Sequence, residues 1–255
     1  MVRGLYTAWT GMYNEQKRLD VIANNIANAA TTGYKQEGVT SQSFDNMLGI
    51  KVRDYSAKSD EVIGTMSLGV KVGEVYTNHK QGSLRPTGNT YDLALDGSGF
   101  FTVKVTDENG VDHIRYTRAG NYTITKDGYV TDADGNRLQS EAGDLIVPTD
   151  AEIVFDTDGT VYANGELIDK VTITDFEDYD YLKKFADTMY EPVDGATQKE
   201  ATAALRQGFL EQSNVNVVQE MTQMIAITRA YEANQKIVQA MDSTLDQAVN
   251  SVGRV

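Results

Sequence analysis

The chain contains no cysteine and only two histidines among its 255 residues. Because cysteine is absent, neither disulfide bonds nor thiolate metal sites can form. No run of about eighteen apolar residues occurs either, so we expect no membrane-spanning helix. The first residues, MVRGLYTAWTGMYNEQ, have no continuous apolar stretch and no small-residue cleavage site, so we expect no cleavable Sec-type signal.

Basic residues are scarce in the middle of the chain. Residues 90–195 hold 23 acidic and 8 basic side chains, whereas the rest of the chain holds 14 acidic and 15 basic side chains, and the net charge is −14. An acidic middle argues against nucleic-acid binding there, and a well-solvated surface is the simpler interpretation. The near-neutral ends carry apolar patterns, which indicate surfaces that contact other protein.

Sequence motifs for catalysis are missing. Neither His79 nor His113 has a serine or a carboxylate at a triad spacing, and no GxSxG segment occurs. The runs that begin at Asp132 and Asp156 place glycine at their fourth position and lack the glutamate of a calcium loop, so they are typical of hairpin turns. We therefore predict no enzyme activity, no cofactor and no metal site.

The first thirty residues carry a heptad pattern. Apolar side chains recur every seven residues in one row, and a second row beside it has one polar exception, Glu15. The pattern predicts an amphipathic helix that stops near Gly33, since glycine adopts the left-handed conformation of a helix C-cap without a Cβ clash. The two rows are Leu5, Met12, Leu19 and Ile26, and Ala8, Ile22 and Ala29.

A second amphipathic pattern occupies the end of the chain, from residue 216 to about residue 250. Asn216, with Gln219 three residues later, is typical of a helix N-cap. Apolar residues follow a 3-4 spacing in two neighbouring stripes, which predicts a helix with more than one neighbour. The stripes include Val217, Met221, Met224, Ile225, Tyr231, Val238, Leu245, Val249 and Val252 in one, and Val218, Ile227, Ile237, Met241 and Ala248 in the other.

The middle of the chain has short β-branched and aromatic runs separated by turn dipeptides. Asn-Gly and Asp-Gly pairs supply the positive φ of tight hairpins, so the pattern predicts an antiparallel β domain. Within it, the stretch GFFTV at 99–103 is more typical of a core strand than of a binding edge. The turn pairs begin at Asn109, Asp127, Asp134, Asp158 and Asn164, and the predicted strands cover 91–95, 100–105, 113–117, 122–125, 153–155, 160–163 and 171–175.

Helices at the two ends of the chain each need an apolar partner, and packing them against each other satisfies both. The sequence therefore predicts an α+β fold with N- and C-terminal helices pairing as a coiled coil and an inserted, mainly antiparallel β domain. A loop and a return path are expected over 183–208. The predicted regions are a discontinuous terminal helical domain (1–33 with 209–255), an extended or β connecting region (34–89 with 196–208) and an acidic β domain (90–195).

Three segments of the sequence resemble one known family. LDVIANNIANAATTGYK (19–35) resembles the N-terminal motif of the bacterial flagellar rod and hook proteins. YDLALDGSGFFTVK (91–104), followed by YTRAGNYTITKDGYV (116–130), resembles the central segment of that family. QGFLEQSNVNVVQEMTQMIAITRAYEANQKIV (207–238) resembles its C-terminal motif. The segments occur in the family's order, and residues 64–95 most resemble the distal rod type.

The resemblance implies a structural subunit of the flagellar basal-body rod that assembles helically with copies of itself around an export channel. It implies type III export without a cleavable signal, a location outside the cytoplasmic membrane, and contacts with adjacent rod and hook proteins and with the export apparatus. We expect no nucleic-acid partner and no membrane insertion. The alternatives are a proximal rod or other axial protein of the family, a secreted coiled-coil adhesin, and a cell-wall enzyme.

The expected assembly interface lies on the two terminal helices. Asn24, Asn25 and Asn28 are predicted to hydrogen-bond to neighbouring subunits or to the turn at 31–33, because buried amides that need partners can set the register of a helix pair. The alternative is that these asparagines only cap the helix end. Arg229 and Glu232 form either a surface pair or an intersubunit contact. The other predicted interface residues are Leu5, Met12, Leu19, Ile22, Ile26, Met221, Ile225, Tyr231, Val238 and Leu245.

Overall fold

The computed structural model describes residues 2–45, 47–51, 61–66, 68–107 and 110–252. The chain forms two compact units. The terminal helices belong to the first unit, and antiparallel sheets dominate the second, so the predicted α+β class is confirmed. The first unit comprises Met1–Ile26, Glu37–Thr77 and Asn216–Val255, and the second comprises Ala27–Gln36 and Asn78–Val215. Asn109, the first residue of one predicted hairpin turn, lies outside the described residues.

Two long helices lie at the ends of the chain. Helix α1 spans Val2–Ala27, and helix α2 spans Val217–Gln247 and continues into a π-helical turn at Ala248–Val252. The predicted N-cap of α2 is confirmed, because the Asn216 side chain accepts a hydrogen bond of 3.2 Å from the backbone N–H of Gln219.

Helix α1 ends earlier than its heptad pattern predicts. The backbone N–H of Thr31 donates to the carbonyl of Asn28, and the Thr31 hydroxyl donates to the Asn28 side-chain oxygen at 3.0 Å. These bonds form a tight turn in place of another helical turn. Gly33 has the expected positive φ of 70°, but it lies within this irregular segment rather than directly after the helix.

The strands of the first unit form two antiparallel pairs. The first pair runs from Glu37 opposite Thr77 to Ser43 opposite Val70, with a bulge between Val39 and Ser41. The strands are β1 (Glu37–Ser43), β2 (Met47–Lys51), β3 (Glu61–Met66) and β4 (Val70–Thr77), paired as β1 with β4 and β2 with β3.

The described strands of the second unit are all antiparallel to their partners. The largest sheet follows the order β17-β18-β8-β7-β11-β10-β9, and β13, β14 and β15 form a separate three-stranded sheet. The strands are β5 (Leu84–Pro86), β6 (Leu93–Asp96), β7 (Phe100–Thr106), β8 (Asp112–Thr117), β9 (Thr123–Ile124), β10 (Val130–Thr131), β11 (Arg137–Ser140), β12 (Gly143–Asp144), β13 (Ile153–Phe155), β14 (Thr160–Ala163), β15 (Glu166–Lys170), β16 (Ile173–Phe176), β17 (Leu182–Lys184), β18 (Met189–Pro192), β19 (Gln198–Glu200), β20 (Ala204–Gln207) and β21 (Phe209–Glu211).

Strand β7 is the centre of the core of the second unit. Its neighbouring residues Phe100 and Phe101 point to opposite faces, as alternation along a strand requires. Phe101 packs into the larger apolar cluster with Leu93 and Leu138, whereas Phe100 packs into a smaller cluster with Tyr190. Both rings are fully buried. The prediction of a core strand over 100–105 is therefore confirmed.

The segment 183–208 differs from its prediction. The sequence predicts a loop and a return path there, but the segment contains most of β17 and all of β18, β19 and β20. Strand β19 pairs with β16, and β20 pairs with the far earlier strand β6. Strand β19 is entirely polar, and β20 has a single core residue, Leu205, so neither strand shows the repeated apolar alternation that identifies a strand.

Candidate assembly interface

Contacts between described residues join helices α1 and α2 near Gly4, Gly11 and Asn25. Gly4 lies so close to the Met241 side chain that a Cβ would collide with it, and a Cβ built at Gly11 would lie 3.1 Å from Asn234 Nδ2. Further along α1, the Asn25 amide nitrogen lies 3.4 Å from a Glu220 carboxylate oxygen. From Gly4 to Gly11 the contact moves seven residues forward on α1 and seven residues backward on α2. From Gly11 to Asn25 it moves fourteen residues forward on α1 and fourteen backward on α2. The contacts therefore advance in opposite directions along the two helices.

The least exposed positions of α2 follow a strict 3-4 spacing, which we call the α2 seam. Apart from Thr228 and Ala230, every residue of α2 between the seam positions is exposed. The seam contains two polar residues, Glu220 and Asn234, and both contact α1. The α2 seam consists of Val217, Glu220, Met224, Ile227, Tyr231, Asn234, Val238, Met241, Leu245 and Ala248.

The predicted interface residues fall into two groups. Among those on α2, Tyr231, Val238 and Leu245 lie on the α2 seam, and the other four are exposed. Among those on α1, Ile22 is buried and the remaining apolar residues are half-buried. The exposed group on α2 is Met221, Ile225, Arg229 and Glu232, and the half-buried group on α1 is Leu5, Met12, Leu19 and Ile26.

Asn25 is the buried asparagine of the three. Its amide nitrogen donates to the carbonyl of Glu37 at 2.8 Å, and its amide oxygen accepts from the Glu37 backbone N–H at 3.0 Å. Its third contact is the buried Glu220 carboxylate. Asn24 is exposed, and Asn28 contacts Thr31 in the turn that follows the helix. Asn25 therefore joins both helices to strand β1 within one chain.

Replacing Asn25 with leucine should lower the free energy of unfolding by about 2–4 kcal/mol, because it removes the amide that hydrogen-bonds to the Glu37 backbone and the Glu220 carboxylate in a buried site. Urea unfolding followed by helical circular dichroism measures the change. Gln16→Leu, at an exposed position of the same helix, is the matched control and should change the stability by less than about 0.5 kcal/mol. Equal losses for the two variants would contradict the role given to Asn25.

Two apolar stripes on the helices are exposed. Tyr6, Trp9 and Tyr13, which we call the α1 stripe, have exposed fractions of 45%, 51% and 47%. The Trp9 and Tyr13 rings stack at 5.9 Å, and the Tyr6 and Trp9 rings lie 6.2 Å apart. Contiguous apolar surface of this kind marks interaction sites in soluble proteins.

The second exposed stripe lies on α2. Val218, Met221 and Ile225, which we call the α2 stripe, have exposed fractions of 73%, 50% and 55%. Each of them directly follows a residue of the α2 seam, so the stripe lies about 100° around the helix from the seam. Of the two stripes, only Met221 and Ile225 belong to the interface predicted from the sequence.

A buried ion cluster lies in the second unit. Glu211 accepts from Lys35 at 2.5 Å through one carboxylate oxygen and from Arg118 at 3.2 Å through the other, and all three side chains are almost completely buried. The first oxygen also accepts from the backbone N–H of Gly82, and Arg118 donates to the carbonyl of Gly97. Burial lowers the pKa of Lys35, and the Glu211 charge opposes that shift.

The comparisons with known proteins agree on one family. Three family models match the chain: a flagella basal body rod protein model over residues 5–35, a flagellar hook protein FlgE/F/G D1 domain model over 94–163, and a flagellar basal body rod FlgEFG protein C-terminal model over 206–251. The flagellar basal-body rod protein FlgG of Bacillus subtilis is 36% identical over 98% of this chain and 99% of its own length. The chain belongs to the flagellar basal-body rod protein family.

Other members of the rod family are similar over the whole chain. The flagellar basal-body rod protein FlgF of Caulobacter vibrioides is 32% identical over 100% of this chain and 98% of its own length. The flagellar hook-basal body complex protein FlhO of Bacillus subtilis is 31% identical over the full length of both chains. The chain is accordingly a structural protein of the flagellar basal body rather than an enzyme.

The three rod-family matches each include one member of the ion cluster, and Arg118 lies within the match over 94–163. Lys35 ends the match over 5–35, and Glu211 lies within the match over 206–251. This cluster was not predicted from the sequence. The available signal was a lysine and a glutamate in two motif segments, TTGYK and FLEQSN, but the pairing of these charges across 176 positions is a property of the fold.

No helix in the described part of the chain combines the length and the apolar character that a membrane span requires. The described residues also include no group of three or more histidine, aspartate or glutamate side chains that could hold a metal ion.

His79 lies beside the ion cluster among three aromatic rings. Its ring centroid is 5.8 Å from Phe100, 5.0 Å from Tyr179 and 5.1 Å from Tyr190, and its Nδ1 is buried with no hydrogen-bond partner among the described residues. Burial, together with the positive charges of Lys35 and Arg118, lowers the pKa of His79 from 6.5 to about 4.

We expect the chain to lose stability as the pH falls from about 6.5 to about 4. Over this range the unfolded chain binds a proton at His79 that the folded chain does not bind, so the free energy of unfolding decreases by about 3 kcal/mol from this group. His79→Phe should remove this part of the pH dependence. Urea unfolding of both proteins at pH 7 and pH 4 measures the difference, and equal acid losses would contradict the prediction.

Proposed function

We propose that this chain is a structural subunit of the flagellar rod, which assembles helically with copies of itself into a hollow drive shaft that transmits torque and encloses the export channel. The observation that carries this proposal is the pair of terminal helices, which contact each other and still expose two apolar stripes. A helix pair that buries one face and leaves further apolar faces exposed has the surfaces that contact between subunits requires.

In this proposal the terminal helices pair as an antiparallel coiled coil. The strict 3-4 spacing of the α2 seam supports it, as do the close approaches of Gly4 and Gly11 to α2. The polar contact of Asn25 with Glu220 would then set the register, since any other alignment separates the buried amide from the buried carboxylate.

The remaining elements of the proposal concern location and partners. The relatives named as basal-body rod proteins support contacts of this chain with adjacent rod and hook proteins. We also propose export by the flagellar apparatus without a cleavable signal and a position in the distal rather than the proximal rod. The proposed regions of the chain are 1–33 with 209–255, 34–89 with 196–208, and 90–195. The near-neutral helices would form the contacts between subunits.

A deletion strain tests the proposed function. Loss of the gene should abolish swimming and should leave basal bodies that stop at one defined length, and a plasmid copy of the full chain should restore both. The truncation length separates a distal from a proximal position, because a proximal subunit leaves a shorter remnant. Full-length basal bodies and normal swimming in the deletion strain would contradict the proposal.

A further inference from the structure

The α1 stripe and the α2 stripe have the same residue spacing and the same length. Each consists of three apolar side chains spaced at i, i+3 and i+7, so each covers one face of its helix over about 10 Å. One stripe is aromatic, and the other has a methionine at its centre, a combination in which the thioether and the ring attract each other. Both stripes lie in the first unit.

The two stripes of one chain lie at different levels along the helix pair. Gly11 contacts Asn234, so Trp9 is level with position 236 in the antiparallel register. Met221, the centre of the α2 stripe, lies roughly four helical turns from position 236, and at about 5.4 Å per turn this offset is about 22 Å. The stripes of one chain are therefore too far apart along the axis to cover each other.

We propose that the α1 stripe of each copy is covered by the α2 stripe of a second copy, which is displaced along the helix axis by this same offset. This inference rests on the proposed function and specifies which surfaces of the rod subunit meet. The contact is head-to-tail rather than mutual. The α1 stripe of the second copy lies one further offset along the axis, where the α2 stripe of a third copy covers it. Contacts of this type do not close on two copies and generate filaments.

The area of the stripes also favours a filament. Three half-exposed aromatic side chains offer on the order of 300 Å², and the α2 stripe offers no more than a similar area. Their contact buries well under the roughly 1,200 Å² of a stable two-protein complex. A single contact therefore cannot hold two copies together in dilute solution, whereas a copy inside a rod makes two such contacts, one through each stripe, with two different copies.

Cysteine cross-linking tests the inference, since the chain has no cysteine of its own. Trp9→Cys combined with Met221→Cys, present as the sole copy in isolated basal bodies, should give a ladder of dimers, trimers and higher multimers with a short bis-maleimide. Trp9→Cys combined with Val249→Cys is the matched control, because Val249 is more exposed than Met221, 70% against 50%, and lies outside the α2 stripe in the π-helical turn that follows α2. We expect at least tenfold more multimer from the first pair than from the control.

Three results would overturn the inference. One is an assembled Trp9→Cys, Met221→Cys protein that stays monomeric after cross-linking. Another is dimer formation by Trp9→Cys alone, which would mean that the α1 stripe meets itself. The third is a Trp9 side chain covered by its own copy or by a different protein in rods of the unmodified chain, as seen by electron cryomicroscopy. That measurement does not depend on whether the variants fold, and it should show the covering copy displaced by the offset between the two stripes.

The proposed function and the inference fail in different ways. Absence of the unmodified chain from isolated basal bodies would overturn both. Presence of the chain in basal bodies with any of the three results above would overturn only the stripe contact. Opposite charges at the central residues of the two stripes give a further check. Trp9→Lys and Met221→Glu should each exclude the chain from basal bodies. Their combination should restore at least part of the assembly, because the two charges then attract each other.

Discussion

Replacing Glu211 with glutamine should lower the free energy of unfolding by about 3–5 kcal/mol, the range found when one member of a buried ion pair is removed. The Glu211 carboxylate is fully buried between Lys35 and Arg118, and it is the anion that both cations contact. Glutamine has nearly the same shape, so packing is retained while both cations stay buried without the opposing charge. Urea unfolding at pH 7 measures the loss.

The matched control for Glu211 is Glu141, which pairs with Lys170 on the surface at 3.5 Å with both side chains about half exposed or more. Glu141→Gln should change the stability by less than about 0.5 kcal/mol, because exposed ion pairs contribute little. A Glu211→Gln variant that loses no more than this control would contradict the prediction.

The pH dependence of the Glu211→Gln variant gives a second readout. Burial already lowers the pKa of Lys35, and loss of the carboxylate removes the interaction that opposes this shift. The unfolded chain then binds a proton at Lys35 over a pH range in which the folded chain does not, so the stability of the variant rises with pH below the ordinary lysine pKa. The variant should therefore recover part of its loss as the pH rises from 7 toward the ordinary lysine pKa, and the addition of Lys35→Met should abolish that recovery.

Replacing Met221 with aspartate should abolish swimming while leaving the β structure of the second unit folded. Met221 is half exposed on α2, so the charge is tolerated in the free chain. The proposed stripe contact would cover the same position in an assembled rod, where an unpaired carboxylate in an apolar contact costs several kcal/mol per subunit. Swimming diameter in soft agar measures the effect, and circular dichroism of the purified variant measures folding.

Gln239→Asp is the matched control for Met221→Asp. It introduces the same charge at an exposed position of the same helix that belongs to neither the α2 seam nor the α2 stripe. This variant should swim at close to the normal rate. Normal swimming by Met221→Asp would show that this face of α2 is not covered in the rod.

Ile26→Asp should also abolish assembly, because Ile26 belongs to the half-buried apolar row of α1.

Elements that depend on local pattern could be predicted from the sequence. The 3-4 spacing and the Asn216 cap predicted α2, and alternation between glycine turns predicted β7, β8, β13 and β14. The pairs Asp127-Gly128, Asp134-Gly135 and Asp158-Gly159 each place glycine at a φ between 83° and 87°. Such signals succeed because each arises from the conformational preferences of adjacent residues.

Elements that depend on distant partners could not be predicted. Strand β19 is polar and β20 has a single core residue, Leu205, and their ladder partners β16 and β6 lie outside the local sequence. Among the three asparagines of ANNIANAATTGYK, sequence alone does not distinguish the buried Asn25 from the exposed Asn24, because the difference lies in the positions of Glu37 and Glu220. Two identical neighbouring side chains differ in burial only because they face different parts of the folded chain.

By itself the sequence determined the helices at both ends of the chain, the β structure between them, the turns between its strands and the family to which the chain belongs. Each of these depends on residue types that lie close together in the sequence. Only the tertiary structure decided which polar groups are buried and which apolar groups stay exposed. It brought Lys35, Arg118 and Glu211 together from three separate segments, and it left the α1 and α2 stripes exposed. Burial depends on contacts between residues far apart in the chain, and local spacing does not encode these contacts.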